Sequence, residues 1–169
     1  TQNEEDAVDA LARLADRLGA AAETVKTFER RVTPRPTGPL DTKSIIQAVA
    51  ATMPAGLIVA TDSGGGNAAH AYCQNAESNS WLSLTGGAIG QGGPVATGAA
   101  LACPDRPVLA MLGDGGAAYT NQSFWTQARE NLNVTTLIFA NHSYNILNVE
   151  YARLGVKEVG EIAASLFDI

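Results

Sequence analysis

The sequence predicts an α/β fold: a doubly wound parallel sheet with helices on both faces. Short apolar runs rich in branched residues, such as Pro107 to Leu112 (PVLAML) and Val134 to Ala140 (VTTLIFA), are bounded by Gly, Pro, Asn and Asp and read as buried strands. Stretches of helical length alternate with these runs. Strand, helix, strand implies a parallel crossover, with ligand sites at the carboxyl ends of the strands.

The elements follow in order. Glu4 to Leu18 is the first expected helix. Arg31 to Leu40 (RVTPRPTGPL) carries three prolines in ten residues, which disfavours helix and suits an extended spacer. A helix at Thr42 to Met53 leads into a strand at Leu57 to Thr61, a Gly loop at 62–67 and a helix near Ala68 to Gln74. A short strand at Trp81 to Leu84 precedes a second Gly loop at 86–93, and Pro94 to Ala102 is a helix of small residues. Thr120 to Asn131 (TNQSFWTQAREN) has helical length and lies between the two strands named first.

Composition excludes several classes. At 169 residues and 46% hydrophobic, the chain suits one globular domain with a real core. A net charge of −6 without a basic patch argues against nucleic acid as partner. No run approaches the roughly 20 apolar residues of a membrane span, so no membrane partner is expected. The acidic N-terminus is no signal peptide. Cys73 and Cys103 are isolated and read as reduced structural thiols in a cytoplasmic protein. His70 and His142 are too few for a zinc site, and His142 is expected to pack or to face solvent.

The most informative pair is Asp114 and Asn141. Gly113-Asp114-Gly115 closes one strand, and Asn141 closes the next after 25 intervening residues. Neighbouring parallel strands end on one edge about 4.8 Å apart. Oxygens on opposite sides of Mg²⁺, each at about 2.0–2.1 Å, stand at nearly that separation, so both side chains can share one ion. Mg²⁺ takes hard oxygens, typically one or two carboxylates plus phosphate oxygens. Gly115 and Gly116 then allow backbone N–H groups to approach a phosphate at the start of the following helix.

These motifs carry a resemblance. Gly113-Asp114-Gly115, the interval of about two dozen residues and Asn141-His142-Ser143 resemble the thiamine diphosphate and Mg²⁺ motif of thiamine-dependent enzymes. Leu84 to Ala100 (LTGGAIGQGGPVATGAA), PVLAMLGDGGAAYTNQSFWTQARE and ANHSYNIL resemble the C-terminal cofactor domain of acetolactate synthase large subunits and benzoylformate decarboxylase. The likeness covers roughly Pro39 to Asp168 and implies the thiamine diphosphate-binding fold, incomplete at its C-terminus.

The resemblance implies roles for particular residues. Asp114, the Asn141 side chain and the Ser143 backbone carbonyl would ligate Mg²⁺. Ile89 matches the apolar wedge that bends the cofactor, and Gly87 the residue whose carbonyl accepts from its 4′-amino group. Gly64 and Gly65 match a loop that contacts the diphosphate, as do Gly113, Gly115 and Gly116 at the helix start. Ile146 and Leu147 would present an apolar wall to substrate. Leu147 stands where pyruvate decarboxylases carry a Glu, which argues against that subgroup. Gly116 replaces the usual Ser or Ala, so a hydroxyl contact to phosphate is missing.

The implied activity is decarboxylation or carboligation of 2-oxo acids, of the acetolactate synthase or the benzoylformate decarboxylase kind. The implied trigger is a Glu on a pyrimidine-binding domain of another subunit, so no catalytic residue is assigned in this chain, which is expected to be inactive alone. Residues 1–30 would then end a preceding middle domain, 31–40 form a linker, and 41–169 form a truncated cofactor domain of a homo-oligomeric enzyme, a dimer or tetramer. A non-catalytic scaffold or cofactor-binding subunit is the alternative of another class. Two rivals fail on residues: Gly64-x-Gly66-x-x-Ala69 lacks the acidic partner of a dinucleotide site near position 84, and Thr61-Asp62-Ser63-Gly64 lacks the upstream His of a serine protease.

Overall fold

The computed structural model describes residues 6–20, 27, 29–62, 64–156 and 160–169, with the backbone alone over 64–67. Eight helices and four strands are seen among them. α1 is Ala7–Arg17, and its Asp6 cap accepts from the Val8 and Asp9 N–H groups. Residues 29–41 carry neither helix nor strand, as the prolines require. α2 (Thr42–Thr52) starts with a capping box. The Asp41 carboxylate accepts from Ser44 N at 2.6 Å, and the Ser44 hydroxyl accepts from Asp41 N at 2.8 Å. The Ser44 N–H, followed by its hydroxyl, holds the Asp41 carboxyl below its ordinary pKa.

β1 (Leu57–Thr61) is buried at every position. It pairs in parallel with β2 (Asn79–Ser83) on one side and with β3 (Val108–Gly113) on the other, and β4 (Val134–Phe139) adds in parallel to β3. The order β2-β1-β3-β4 means that the chain leaves β1 for one edge, returns across it to β3 and continues to the opposite edge. Between β1 and β3 the winding reverses. Such a switch point opens a crevice at the carboxyl ends of the two strands.

Strand alternation divides the core. Leu57, Val59 and Met111 pack with Ile46, Ala50 and Met53 of α2 and with Ala69 and Cys73 of α3 (Gly64–Cys73). Ile58, Ala60, Val108, Ala110 and Leu112 pack with Ala96 and Ala100 of α4 (Gly92–Ala102) and with Ala117 of α5 (Asp114–Tyr119). Helices therefore cover both faces, the doubly wound arrangement that the sequence predicts.

The observed elements differ from the sequence reading in four places. The Gly loop at 62–67 ends early, because α3 takes Gly64 and Gly65 into its first turn, where N–H groups need no intrahelical partner. α4 starts at Gly92, before Pro94; proline is tolerated in a first turn. The helix expected over Thr120 to Asn131 is α6 (Gln122–Arg129), shorter at both ends and preceded by α5; the two are broken at Thr120, whose hydroxyl donates to Gly90 O at 2.6 Å. β2 begins two residues before Trp81. Beyond β4 come α7 (Asn145–Arg153), α8 (Glu161–Ala164) and a 3-10 turn at Ser165–Phe167, with the Phe167 ring 5.7 Å from that of Tyr151.

Met111 is fully buried, whereas Leu101 on α4 is 58% exposed. Met111→Ala is expected to lower the unfolding free energy in urea by about 2–5 kcal/mol, and Leu101→Ala by no more than about 0.5 kcal/mol. Burial pushes the Cys73 thiol from 9.0 up to about 11. The folded chain keeps a proton that the unfolded chain loses above 9.0, so this group's contribution to stability falls as pH rises from 9.0 through about 11. Alkylation of native Cys73 with iodoacetamide should accordingly be slow at pH 8 and rise about tenfold per pH unit towards 11.

Candidate cofactor site

At the switch point a cavity of about 650 Å³ opens. β1 contributes Asp62 immediately after its last residue; β3 contributes Gly113 and Asp114, and β4 contributes Phe139 and, two residues on, Asn141. Gly113 and Phe139 are register partners, so the two strands deliver Asp114 and Asn141 to one edge.

The carboxylate of Asp114 is held by backbone. Its Oδ2 accepts from Asn141 N at 3.0 Å and His142 N at 2.7 Å, and its Oδ1 from Gly115 N at 3.0 Å. Three bonds leave acceptor capacity on a group with about four lone-pair directions. Asn141 Oδ1 accepts from Ser143 N at 3.0 Å and keeps a second lone pair. For two successive N–H groups to reach one oxygen the chain must turn sharply, and His142 adopts φ 56°. Left-handed backbone at a non-glycine residue costs on the order of 1–3 kcal/mol and persists where the surroundings enforce it.

Ser143 forms an antiparallel bridge with Asp168. The bonds of that bridge run from Tyr144 N to Phe167 O at 2.7 Å and from Ile169 N to His142 O at 3.2 Å. They bypass the Ser143 carbonyl, which stays available as an oxygen donor. One carboxylate, one amide oxygen and one carbonyl are the hard donors that Mg²⁺ prefers. Among the described residues no cluster of three or more His, Cys, Asp or Glu could hold a metal, and a site of this mixed composition is of a different kind.

Glycines shape the floor. A Cβ on Gly115 would stand 2.5 Å from the Tyr144 ring, and one on Gly116 would stand 3.0 Å from Asp62 Oδ1. The Tyr144 ring is itself set edge-on to Tyr119, with centroids 6.1 Å apart. Gly115 and Gly116 thus line the cavity at the start of α5, with Tyr144 and Asp62 filling the space their side chains would take.

Of the residues singled out in the sequence, Ile89, Gly113, Asp114, Gly115, Gly116, Asn141, Ser143 and Ile146 line this cavity. Gly87, at φ 73°, and Leu147, 40% exposed, do not. Gly64 and Gly65 begin α3 just beyond β1, and their surroundings lie outside the described residues. His142 is exposed, as expected, but its backbone shapes the Asn141 turn. Sequence reasoning passed over Asp62, Thr42, Tyr144 and Val149, which also line the cavity. The signal for Asp62 was present, since it directly follows a strand that ends on the same edge as Asp114. A smaller cavity of about 360 Å³ at the opposite edge is lined by apolar residues and threonines, with no charged group.

The thiamine pyrophosphate enzyme C-terminal TPP binding domain, as a family model, matches residues 62–161, which contain the Asp62, Asp114 and Asn141 strand ends. The chain belongs to this family. Thiamine pyrophosphate and thiamine diphosphate are the same cofactor. The "Putative acetolactate synthase large subunit IlvX" of Mycobacterium tuberculosis (strain H37Rv) is 45% identical over 166 residues, 96% of this chain and 32% of that protein. Acetolactate synthase isozyme 1 large subunit of Escherichia coli (strain K12) is 36% identical over 118 residues, 68% of this chain and 21% of that protein. Among solved structures, the Rhodococcus jostii RHA1 thiamine diphosphate-dependent 4-hydroxybenzoylformate decarboxylase superposes with a TM-score of 0.62 at 26% identity, covering 84% of this chain and 27% of that one. The chain thus spans about a third or less of the length of the relatives it matches.

Gly90, at φ 93°, would bring a Cβ to 2.7 Å from Tyr119 Cβ, whereas Gly98 lies within α4 with open space around it. In chemical denaturation Gly90→Ala should cost at least about 1–3 kcal/mol, while Gly98→Ala should stabilise by about 0.4–1 kcal/mol.

Proposed function

We propose that this cavity holds thiamine diphosphate through Mg²⁺, in an acetolactate synthase-like enzyme that acts on 2-oxo acids by decarboxylation, carboligation or both. The observation that carries the reading is that Asp114, Asn141 and Ser143, each with a hard oxygen to give, line one cavity beside a glycine-floored helix start. The chemistry such a cofactor would supply here is an electron sink for the loss of CO₂ from a 2-oxo acid.

The chain's own residues bind and orient. Asp114 and Asn141 give oxygens to the ion, and the Ser143 carbonyl completes the protein's share. Gly115 and Gly116 form the diphosphate's seat at the helix start, where the Gly116 N–H would meet it while that of Gly115 holds Asp114, and Gly64 and Gly65, in the first turn of α3, approach it from β1. Ile89, 42% exposed at the cavity, would serve as the apolar wedge against the cofactor, and Gly87, two residues before it, would accept from the 4′-amino group through its carbonyl. Ile146, 49% exposed, and Leu147 give the substrate side an apolar wall. No carboxylate besides Asp62 and Asp114 lines the cavity among the described residues, which supports the reading that the activating Glu comes from a pyrimidine-binding domain of a partner subunit in a homo-oligomer.

Identity of 45% over almost the whole chain to a relative named as an acetolactate synthase large subunit favours that subgroup. The superposition on a decarboxylase supports a benzoylformate decarboxylase-like enzyme as the second reading. In either, residues 1–30 end a preceding domain and 31–40 link it to the cofactor domain. The absence of helix and strand over 29–41 and the exposure of Val8, Leu11 and Leu14 on α1 support that division. A cytoplasmic location accords with the acidic composition and two unpaired cysteines.

Calorimetry of thiamine diphosphate binding, with and without Mg²⁺, tests the reading. Binding should require the ion, and Asp114→Ala should weaken it by at least about tenfold. A variant that binds as tightly as the parent would remove the metal assignment.

A further inference from the structure

We propose that Asp62 is a positioning residue that clamps the Ile89 loop over the cavity, so that the wedge is set by a carboxylate at the end of β1 and not by packing. The inference rests on the cofactor reading above. Ile89 itself cannot be fixed by a core, since it is 42% exposed and lies between Gly87 at φ 73° and Gly90 at φ 93°. Glycine backbone of this kind has more conformational freedom to lose than any other. The loop's own turns, such as Ile89 N to Gly87 O at 2.9 Å and Gln91 N to Ala88 O at 3.0 Å, shape it but do not tie it to the sheet.

Asp62 does so from a distance of 28 and 30 residues along the chain. Its Oδ2 accepts from Gly90 N and Gly92 N, each at 3.2 Å. Hydrogen bonds to an ionised acceptor are roughly twice as strong as neutral ones. Gly90 is gripped from its other side too, because its carbonyl accepts the Thr120 hydroxyl at 2.6 Å. The residue beside the wedge thus has its N–H tied to the end of β1 and its C=O tied to the α5–α6 junction.

The carboxylate fits a slot cut by absent side chains. A Cβ on Gly92 would stand 3.1 Å from Asp62 Cγ, and one on Gly116 would stand 3.0 and 3.1 Å from its two oxygens. Asp62 therefore touches three separate segments: its own strand end, the wedge loop and the first turn of α5. Its Oδ1 is buried without a hydrogen-bond partner among the described residues. Leaving a buried acceptor unpaired costs stability, so the arrangement is poor as mere core and makes sense as a device that fixes one loop relative to two strand ends. It also gives Gly116 a reason of its own, because a Ser or Ala there would press on the Asp62 carboxylate.

The test uses calorimetry on the 169-residue chain with Mg²⁺ and two probes, thiamine diphosphate and inorganic pyrophosphate. Pyrophosphate needs the ion and the glycine floor, whereas the full cofactor also needs the wedge. Asp62→Ala should weaken thiamine diphosphate by about tenfold or more and pyrophosphate by less than about threefold. Asp62→Asn should restore cofactor binding, since its amide oxygen accepts the same two N–H groups. Equal losses for both probes, or an Asn variant as poor as Ala, would overturn the proposal. Should Asp62→Ala fail to fold, Thr120→Val opens the other side of the clamp and is expected to give the same split; pyrophosphate and cofactor weakened alike would again overturn it. If the parent binds neither probe, the cofactor reading fails, and melting temperatures still decide the clamp. Gly116→Ala should lower the melting temperature of the parent and leave that of Asp62→Ala unchanged. Additive losses in that cycle would mean that the two residues do not share a slot.

Discussion

The parallel pairing of β1 with β3 is the constraint on which the rest depends. Ile58 to Thr61 run in register with Val108 to Met111, so the residues that follow, Asp62 on one strand and, after Leu112, Gly113-Asp114 on the other, emerge at the same edge. Because β2 lies on the far side of β1 and β4 on the far side of β3, the connections diverge from that point and leave a crevice between them. The two aspartates divide the work at its mouth. Asp114 is turned towards the Asn141 loop and Asp62 towards the Gly90 loop, and α5 starts between them.

Much of this was legible in the sequence because strands and their ends obey short-range rules. β1 matches the run Leu57 to Thr61 residue for residue, β3 is shifted by one residue at each end of its apolar run, and β4 stops one residue short of its own. Buried strands of branched residues bounded by Gly, Pro and Asp leave little freedom to the reading. Helix starts were harder. α3 and α4 begin inside glycine runs, where local propensity argues for loop and close approach to the sheet decides otherwise: a Cβ on Gly92 would overlap Leu112 Cδ2. The break between α5 and α6 is likewise tertiary, since Thr120 gives its hydroxyl to a carbonyl 30 residues away.

The cavity's residues divide along the same line. Asp114, Asn141 and the glycines carry a motif whose chemistry can be argued from residue type alone. Asp62 and Tyr144 owe their places to contacts that no local pattern encodes: one faces Gly116 and Gly92, the other faces Gly115. At each of these contacts a large or charged side chain is matched by the absence of one. The strained His142 backbone follows the same logic, because its φ serves two hydrogen bonds to Asp114 and could be read only once the partner was known.

The bridge between Ser143 and Asp168 adds a matter of timing. Residues 167–169 grip the backbone on either side of the third oxygen donor, with Phe167 buried and Ile169 reaching towards Gly115. The Ser143 turn is closed by residues some 25 positions further along the chain, so it cannot be set while that later chain is still missing. The sheet and both its helical layers can therefore assemble first. The turn at His142 is finished last, when residues 167–169 fold back and lock it.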